Sequence, residues 1–330
     1  MTLQYSVLKE GINEKMKSLV GYTGFVGQNI ANSCRFDGLY NSKNIEAAYG
    51  RNPELLVYAG VRSEMFLANQ DPKRDKESID QAIENIKKIH PKQLILISTI
   101  SVYGEQVYAD ETTKIETDRL TAYGKNRLYL EEWVEAEMEH ACIVRLPALY
   151  GKGIKKNFIY DYIHRIPMLL KNDKYELLCK DNHQLANYYE NQDNGYYKCR
   201  NLKEEEKRFL SSYFQTAGFS ALNFTDSRAK YQFYNLAYLW EHIQIARKNE
   251  LKKVNLVTEP IEAAELFWYL EQKKFENKIT KSPFDYQLCT IHAELFGGNG
   301  GYIFEKRFVL EDIRSFILNV KRAEGIKGWS

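Results

Sequence analysis

In the stretch TAYGKNRLYLEEW, Thr121 to Trp133, a tyrosine stands four residues ahead of an arginine. Positions i and i+4 share one face of a helix, so Tyr123 and Arg127 are neighbours there, while Lys125 at i+2 points roughly the opposite way. A phenol ionises near pH ~10 in water, and a cation held beside it favours the phenolate. Such a pair suits a tyrosine that gives or takes a proton, and lysine is the partner that chemistry asks for. Arginine supplies the same charge and five donors, but it cannot give up a proton near neutrality. Charge is kept, and any relay through that side chain is lost. A group of hydroxyls, Ser98, Thr99 and Ser101, lies near the end of the apolar run QLILISTISVYG, Gln93 to Gly104. A hydroxyl at the carboxyl edge of a parallel strand sits where open α/β sheets bind ligands. One hydroxyl alone is as readily a cap or a turn residue, so its interest comes from Tyr123 on the next helix.

The most specific spacing is Gly21, Gly24, Gly27 in GYTGFVGQNIANS, directly after the short run SLV and at the opening of a helical pattern. Glycines so placed let backbone amides approach a pyrophosphate at the positive end of the helix. The alternative is a tight strand-to-helix turn with no ligand. An acidic residue about twenty positions on would grip the ribose 2′-hydroxyl of NAD. The segment LYNSKN offers Asn41, Ser42 and Lys43 and no carboxylate. Lys43 is suited to a 2′-phosphate, which tilts the expectation from NAD toward NADP, with Asp37 as a competitor if the strand ends earlier.

These residues need a frame. SLVGYTGFVG, LLVYAG (Leu55 to Gly60), QLILISTISVYG and CIVRLPALYG (Cys142 to Gly151) read as strands, with helical spacing in ESIDQAIENIKKI and GKNRLYLEEWVEAEME between them. Alternating strands and helices imply an α/β fold with a doubly wound parallel sheet. Beyond Gly151 the character changes to lysine- and asparagine-rich stretches, a strand-like YQFYNLAYL, a helix through Trp240 and the strand KVNLVT. The expected division is residues 1–155 as a dinucleotide-binding domain and 156–330 as a smaller, mixed substrate-binding region, with about 228–260 returning to the first sheet. The 330 residues, 44% hydrophobic, suffice for a large core, and a net charge of +2 argues against a nucleic-acid surface. The abundant tyrosines suggest polar-aromatic packing. Five scattered cysteines show no metal-ligand spacing and suit reduced thiols in the cytoplasm. Neither a signal segment nor a membrane-length apolar run is read in the sequence.

Together the ordered motifs resemble the extended short-chain dehydrogenase/reductase family, which contains nucleotide-sugar epimerases, dehydratases and 4-keto reductases. The matching pieces are GYTGFVG, the YAG of Tyr58 to Gly60, STISVYG, AYGKNRLYLE and RLPALYGKG, covering roughly the first 155 residues; FYNLAYLWEHI and VNLVTEP look like that family's late strands. The resemblance implies a Rossmann-type fold and catalytic roles for Thr99, Tyr123 and Arg127, the last standing where the family has lysine. It implies cofactor contacts from Gly21, Thr23, Gly24, Phe25, Val26, Gly27, Asn41, Ser42, Lys43, Tyr58, Ala59, Gly60, Arg127 and Pro147. Substrate contacts fall to Arg62, Ser101, Asn157 and Arg228, with Lys155 and Lys156 near a substrate phosphate. Where the family's 4,6-dehydratases carry an acidic pair, this chain has Ile100 and Ser101, so elimination of water is not expected.

The resulting expectation is an NAD(P)-dependent oxidoreductase or epimerase acting on a nucleotide-activated sugar, with no metal, no nucleic acid and no membrane, and open to homodimer formation. The competing reading is a dinucleotide-binding sensor or scaffold in which Arg127 marks lost chemistry. His292 is open to a catalytic role, but a lone histidine is more often structural; the glycines of GGNGG, Gly297 to Gly301, read as a mobile or tight loop and not as a second nucleotide site, because no strand-to-helix frame surrounds them.

Overall fold

The computed structural model describes residues 16–325. It divides into two compact units. The first takes the described residues up to Gly104 with Glu116–Arg145 and Ala237–Val254, and the second takes Glu105–Ile115, Leu146–Leu236 and the described residues from Asn255. The boundary expected near residue 155 thus falls at Leu146, and the returning segment narrows to Ala237–Val254.

The first unit is built on a six-stranded parallel sheet. Strands β1 (Lys17–Val20), β2 (Gly38–Tyr40), β3 (Leu55–Tyr58), β4 (Gln93–Thr99) and β5 (Ala141–Leu146) are joined by Lys253–Asn255. The spatial order is Lys253–Asn255, β5, β4, β3, β1, β2. Val20 is in register with Tyr40 on one side and Tyr58 on the other, so the carboxyl ends of three strands meet at one edge. From β1 the chain steps outward to β2, then crosses to β3 on the far side of β1. This reversal is the switch point at which doubly wound sheets leave a crevice for ligands. Only a short 3-10 turn, Ile45–Ala48, separates β2 from β3 as regular structure, so β2 is the sheet's edge.

All four residues of β3 are buried, as a strand covered on both faces must be. The helices of the first half are α1 (Phe25–Ser33), α2 (Met65–Gln70), α3 (Pro72–Ile89) and α4 (Ala122–Glu137). Ile79, Ile83 and Ile86 of α3 and Leu130 and Val134 of α4 form one core with Leu56, Leu94, Leu96 and Ile143 of the sheet. Asp71 caps α3 by accepting from the Arg74 amide at 3.1 Å, with Pro72 in the first turn. Elsewhere in the unit the helix Leu239–Lys248 packs near α1, where the Phe36 and Trp240 rings meet edge to face at 5.4 Å.

Two expected strands end early. The Thr99 hydroxyl accepts from the Ser101 amide at 3.2 Å and turns the chain into a 3-10 helix over Ile100–Tyr103. Pro147 has no N–H to give a ladder, so the run from Cys142 to Gly151 breaks there. Ala148–Tyr150 then pairs in parallel with Phe233–Asn235 inside the second unit.

In that second unit Asp312 accepts from the Tyr150 hydroxyl at 2.5 Å and the Asn235 amide at 2.7 Å. A separate three-stranded antiparallel sheet, ordered Leu169–Lys171, Tyr196–Cys199, Tyr189–Asn191, has a core of Leu170, Leu178, Leu185, Leu210 and Phe214. Tyr175 and Tyr197 stack there at 3.6 Å, one use of the tyrosine-rich composition. Among the described residues, no helix is long and apolar enough to cross a membrane.

A charged pair is sealed inside the first unit. Glu131 lies one turn beyond Arg127 on α4, and its carboxylate accepts from Arg145 of β5 at 2.5 and 3.1 Å. Ser98 of β4 donates to it at 2.5 Å, and the same guanidinium donates to the Tyr103 hydroxyl at 2.6 Å. Glu131 and Arg145 are 0% and 1% exposed. Removing one partner of a buried pair strands the other charge, so Arg145→Met is expected to cost about 3–5 kcal/mol. Urea denaturation checks this through a lowered midpoint with an unchanged slope.

Candidate active site

At the switch point, Gly21 takes φ +89°, its amide donates to Tyr40 at 2.7 Å, and its carbonyl receives the Gly24 amide at 2.9 Å. A Cβ on Gly21 would overlap the Ala59 carbonyl, and one on Gly27 would overlap the Gly21 carbonyl. Both glycines are therefore required by packing. Gly24 differs, because a Cβ there meets only the Gly21 oxygen at 3.3 Å. Gly24 is the N-cap of α1 with no side-chain cap, so the first amides of the helix, Phe25 and Val26 among them, have no intrahelical acceptor. An anion suits that position. Thr23 and Gly24 are exposed and Phe25 and Val26 half-buried.

Asn41 directly follows β2, and the turn it opens is held by its own amides: Oδ1 of Asn44 accepts from Asn41 N at 2.7 Å, and Oδ1 of Asn41 accepts from Lys43 N at 2.8 Å. Ser42 and Lys43 are exposed. Asp37 is at the other end of the strand, where it accepts from the Lys17 amide at 2.7 Å. It does not compete for a ribose at the switch-point edge. Ala59 N donates to Val20 at 2.9 Å and carries β3 to that edge, and Gly60 is exposed. The Tyr58 ring faces the α3 side of the core, its hydroxyl accepting from Asn85 at 3.3 Å and pushed up to about 12 by burial. Only the backbone of Tyr58 can serve the edge.

Tyr123 enters from α4. Thr121 caps the helix by accepting from the Gly124 amide at 3.3 Å, and Asn69 of α2 accepts from the Tyr123 amide at 2.9 Å. Gly124 lets the helix close on β4, since a Cβ there would lie 2.6 Å from the Ser101 carbonyl oxygen. The Tyr123 hydroxyl is thereby hydrogen-bonded to Thr99, whose own hydroxyl donates to Ser101 at 3.1 Å. Arg127 stacks on the Tyr123 ring, 4.3 Å from its centroid. It is 4% exposed, and its fork is engaged elsewhere. Asp75 of α3 accepts from both terminal nitrogens at 2.8 and 3.1 Å, and the Arg62 carbonyl accepts at 2.6 Å. Asn126 also donates to Asp75, at 2.8 Å. Three donations from Arg127 are committed inside the protein, which leaves little for a cofactor ribose. Burial pushes the Tyr123 phenol up. The Arg127 charge and the hydrogen bonds with Thr99 and Arg127 pull it down, Asp75 adds to the rise, and the net direction is upward. The partner at i+4 still favours the phenolate, but burial outweighs it.

Residues 41–185 match the NAD dependent epimerase/dehydratase family. The match begins just after β2, so it contains Thr99, Tyr123 and Arg127, while the glycine turn precedes it. In fold the chain is similar to RMD from Pseudomonas aeruginosa complexed with NADPH, with a TM-score of 0.60 and 14% identity over 93% of this chain and 99% of that one. It is similar to a dTDP-4-dehydrorhamnose reductase from Clostridium acetobutylicum at 0.59 and 12%, over 93% and 100%. A UDP-glucose 4-epimerase from Thermotoga maritima, solved with UDP-glucose, gives 0.59 and 15%, over 93% and 99%. No curated protein matches the sequence.

The remaining expected residues fall differently. Arg62 has an exposed side chain and contributes its carbonyl to Arg127. Pro147, Asn157 and Arg228 belong to the second unit. Asn157, at φ +99°, caps the helix Phe158–His164 by accepting from Ile159 and Tyr160, and donates to the Leu149 carbonyl at 2.7 Å. Its side chain has a structural task, and the strained backbone is offset by those bonds. Arg228 donates to Asp226 at 2.8 and 2.9 Å and to the Thr280 carbonyl at 2.7 Å, with its side chain 38% exposed. Asp75, Asn69, Glu131 and Arg145 went unremarked in the sequence. The spacing of Tyr123, Arg127 and Glu131 at i, i+4, i+8 was the signal for one of them. From the glycine geometry, Gly27→Ala should destabilise the protein by about 1–3 kcal/mol through overpacking. Gly24→Ala should stay close to wild type, as a pair of thermal melts will show.

Proposed function

We propose that the chain is an NAD(P)-dependent oxidoreductase acting on a nucleotide-activated sugar, either reducing a keto group or epimerising through a transient ketone. The observation that carries this reading is the buried Tyr123 hydroxyl bonded to Thr99 at the carboxyl end of β4, in the same sheet as the glycine turn. The turn suits a dinucleotide: Gly21 and Gly27 are demanded by packing, Gly24 is exposed at the start of α1, and the first amides of α1 are unpaired within the helix. When bound, the nicotinamide supplies or receives the hydride. Tyr123 holds the proton that the sugar oxygen gains or loses, and Thr99 orients that phenol. Ile100 is buried and Ser101 carries no charge, so no acid and base stand ready for dehydration.

The solved relatives include proteins complexed with NADPH and with NADP. With no carboxylate at Asn41–Lys43 and a cation at Lys43, NADP is favoured over NAD. The inward clamp on Arg127 favours the second reading, a bound-dinucleotide sensor. Stopped-flow measurement of hydride transfer from NADPH to a panel of keto-sugar nucleotides separates the two, since a sensor transfers none. Tyr123→Phe should lower kcat by about 10²–10⁴-fold, the range for a positioned acid or base, while NADPH still binds. Equal turnover by that variant would remove Tyr123 from the mechanism. Lys43→Glu should weaken NADP more than NAD in parallel fluorescence titrations, because only NADP carries the 2′-phosphate; equal losses would make Lys43 a bystander.

A further inference from the structure

We infer that Asp75 is a positioning residue for Tyr123: by taking up the charge of Arg127 against the tyrosine ring, it holds the phenol as a proton donor and selects ketone reduction over the alcohol oxidation that opens an epimerase cycle. The inference rests on the reading of Tyr123 as the acid-base group. Its geometric basis is a closed set of contacts. Both oxygens of Asp75 face the two terminal nitrogens of Arg127 at 2.8 and 3.1 Å, and the side chains are only 9% and 5% exposed. The guanidinium lies on the ring of Tyr123 at 4.3 Å and is tied to the Arg62 carbonyl at 2.6 Å, so it has one position.

The neighbours of Tyr123 on every packed element bear this out. Arg127 is on its own helix and Asp75 on α3, and these are the charged groups acting on the phenol. Thr99 and Ser101 at the end of β4 and Asn69 on α2 are uncharged. Burial raises the phenol most, Arg127 pulls it down by charge and hydrogen bond, and Asp75 opposes that pull, so the net direction is upward. A phenol that keeps its proton can protonate a forming alkoxide but is a poor base for a sugar hydroxyl. In the reducing direction, hydride from the reduced nicotinamide dinucleotide forms the new C–H bond as the carbonyl π pair moves onto oxygen. The Tyr123 O–H bond breaks to give that oxygen its proton, water reprotonates the phenolate, and the oxidised dinucleotide leaves.

The test labels tyrosine with 13C at Cζ and identifies the Tyr123 resonance by its loss in Tyr123→Phe. Asp75→Asn should move the ionisation midpoint of that resonance to lower pH, because Arg127 is left unbalanced, and Asp75→Glu should restore it. An unchanged midpoint in a folded Asp75→Asn protein overturns the inference. The wild type gives a second decision that needs no variant. Reduction of a keto-sugar nucleotide by NADPH should exceed C4 epimerisation of UDP-glucose at pH 7 by at least tenfold, and comparable rates overturn the inference. If neither reaction occurs, the proposed activity falls, while the midpoint of Tyr123 still decides the role of Asp75.

Discussion

The carboxylate of Glu131 binds together the parts of the first unit on which the site depends. It accepts from Arg145 on β5 and from Ser98 on β4, while Arg145 reaches Tyr103 in the turn after β4. Glu131 sits on α4, two turns beyond Tyr123. The pair therefore fixes α4 against the end of β4, and the Tyr123–Thr99 contact follows from that fixation. Two buried charges are poor stabilisers in net terms, because desolvation offsets most of their attraction. Their bidentate geometry and the added hydroxyl partners make the arrangement single-valued. A slip of the helix by one turn would leave both charges unpaired.

A second ion pair repeats the device nearer the phenol with a different result. Where Arg145 and Glu131 join a helix to two strands, Arg127 and Asp75 join two helices, and the Arg62 carbonyl draws the segment after β3 into the same knot. Arginine suits that task better than lysine, since its planar fork meets a carboxylate with two parallel bonds and still lays a face on an aromatic ring. A lysine in its place would offer one point charge and no flat surface. Arg127 is thus an internal brace and not an outward-reaching cation.

The sheet sets how the rest of a ligand can be met. With only a 3-10 turn between β2 and β3, the edge beyond β1 is a single short strand, and the turn Asn41–Asn44 is exposed at its carboxyl end. Gly21 packs the turn after β1 against Ala59, and Gly27 packs the first helix against that turn, so unpaired amides are presented at the switch point. Lys43 is the exposed cation in that turn.

Local patterns carried much of this protein in the sequence itself. A strand, three spaced glycines and a helix define the strand-to-helix turn because backbone sterics act within a few residues. The alternation of buried runs with helical spacing defines the parallel sheet because each strand must be covered on both faces. Tyr123 and its i+4 neighbour were legible for the same reason, helical periodicity being a local rule. The tertiary structure decided the state of those groups. Arg127 and Asp75 are 52 positions apart in the chain and Ser98 and Glu131 are 33 apart, and no spacing rule links such partners. Asn157 became a helix cap once the break at Pro147 had redirected the chain. Asp37 was removed from the ribose edge by the register of β1 with β2, which places it at the amino end. Sequence names the chemical groups; a charge becomes available or spent only when distant segments pack, because burial and pairing are properties of the assembled interior.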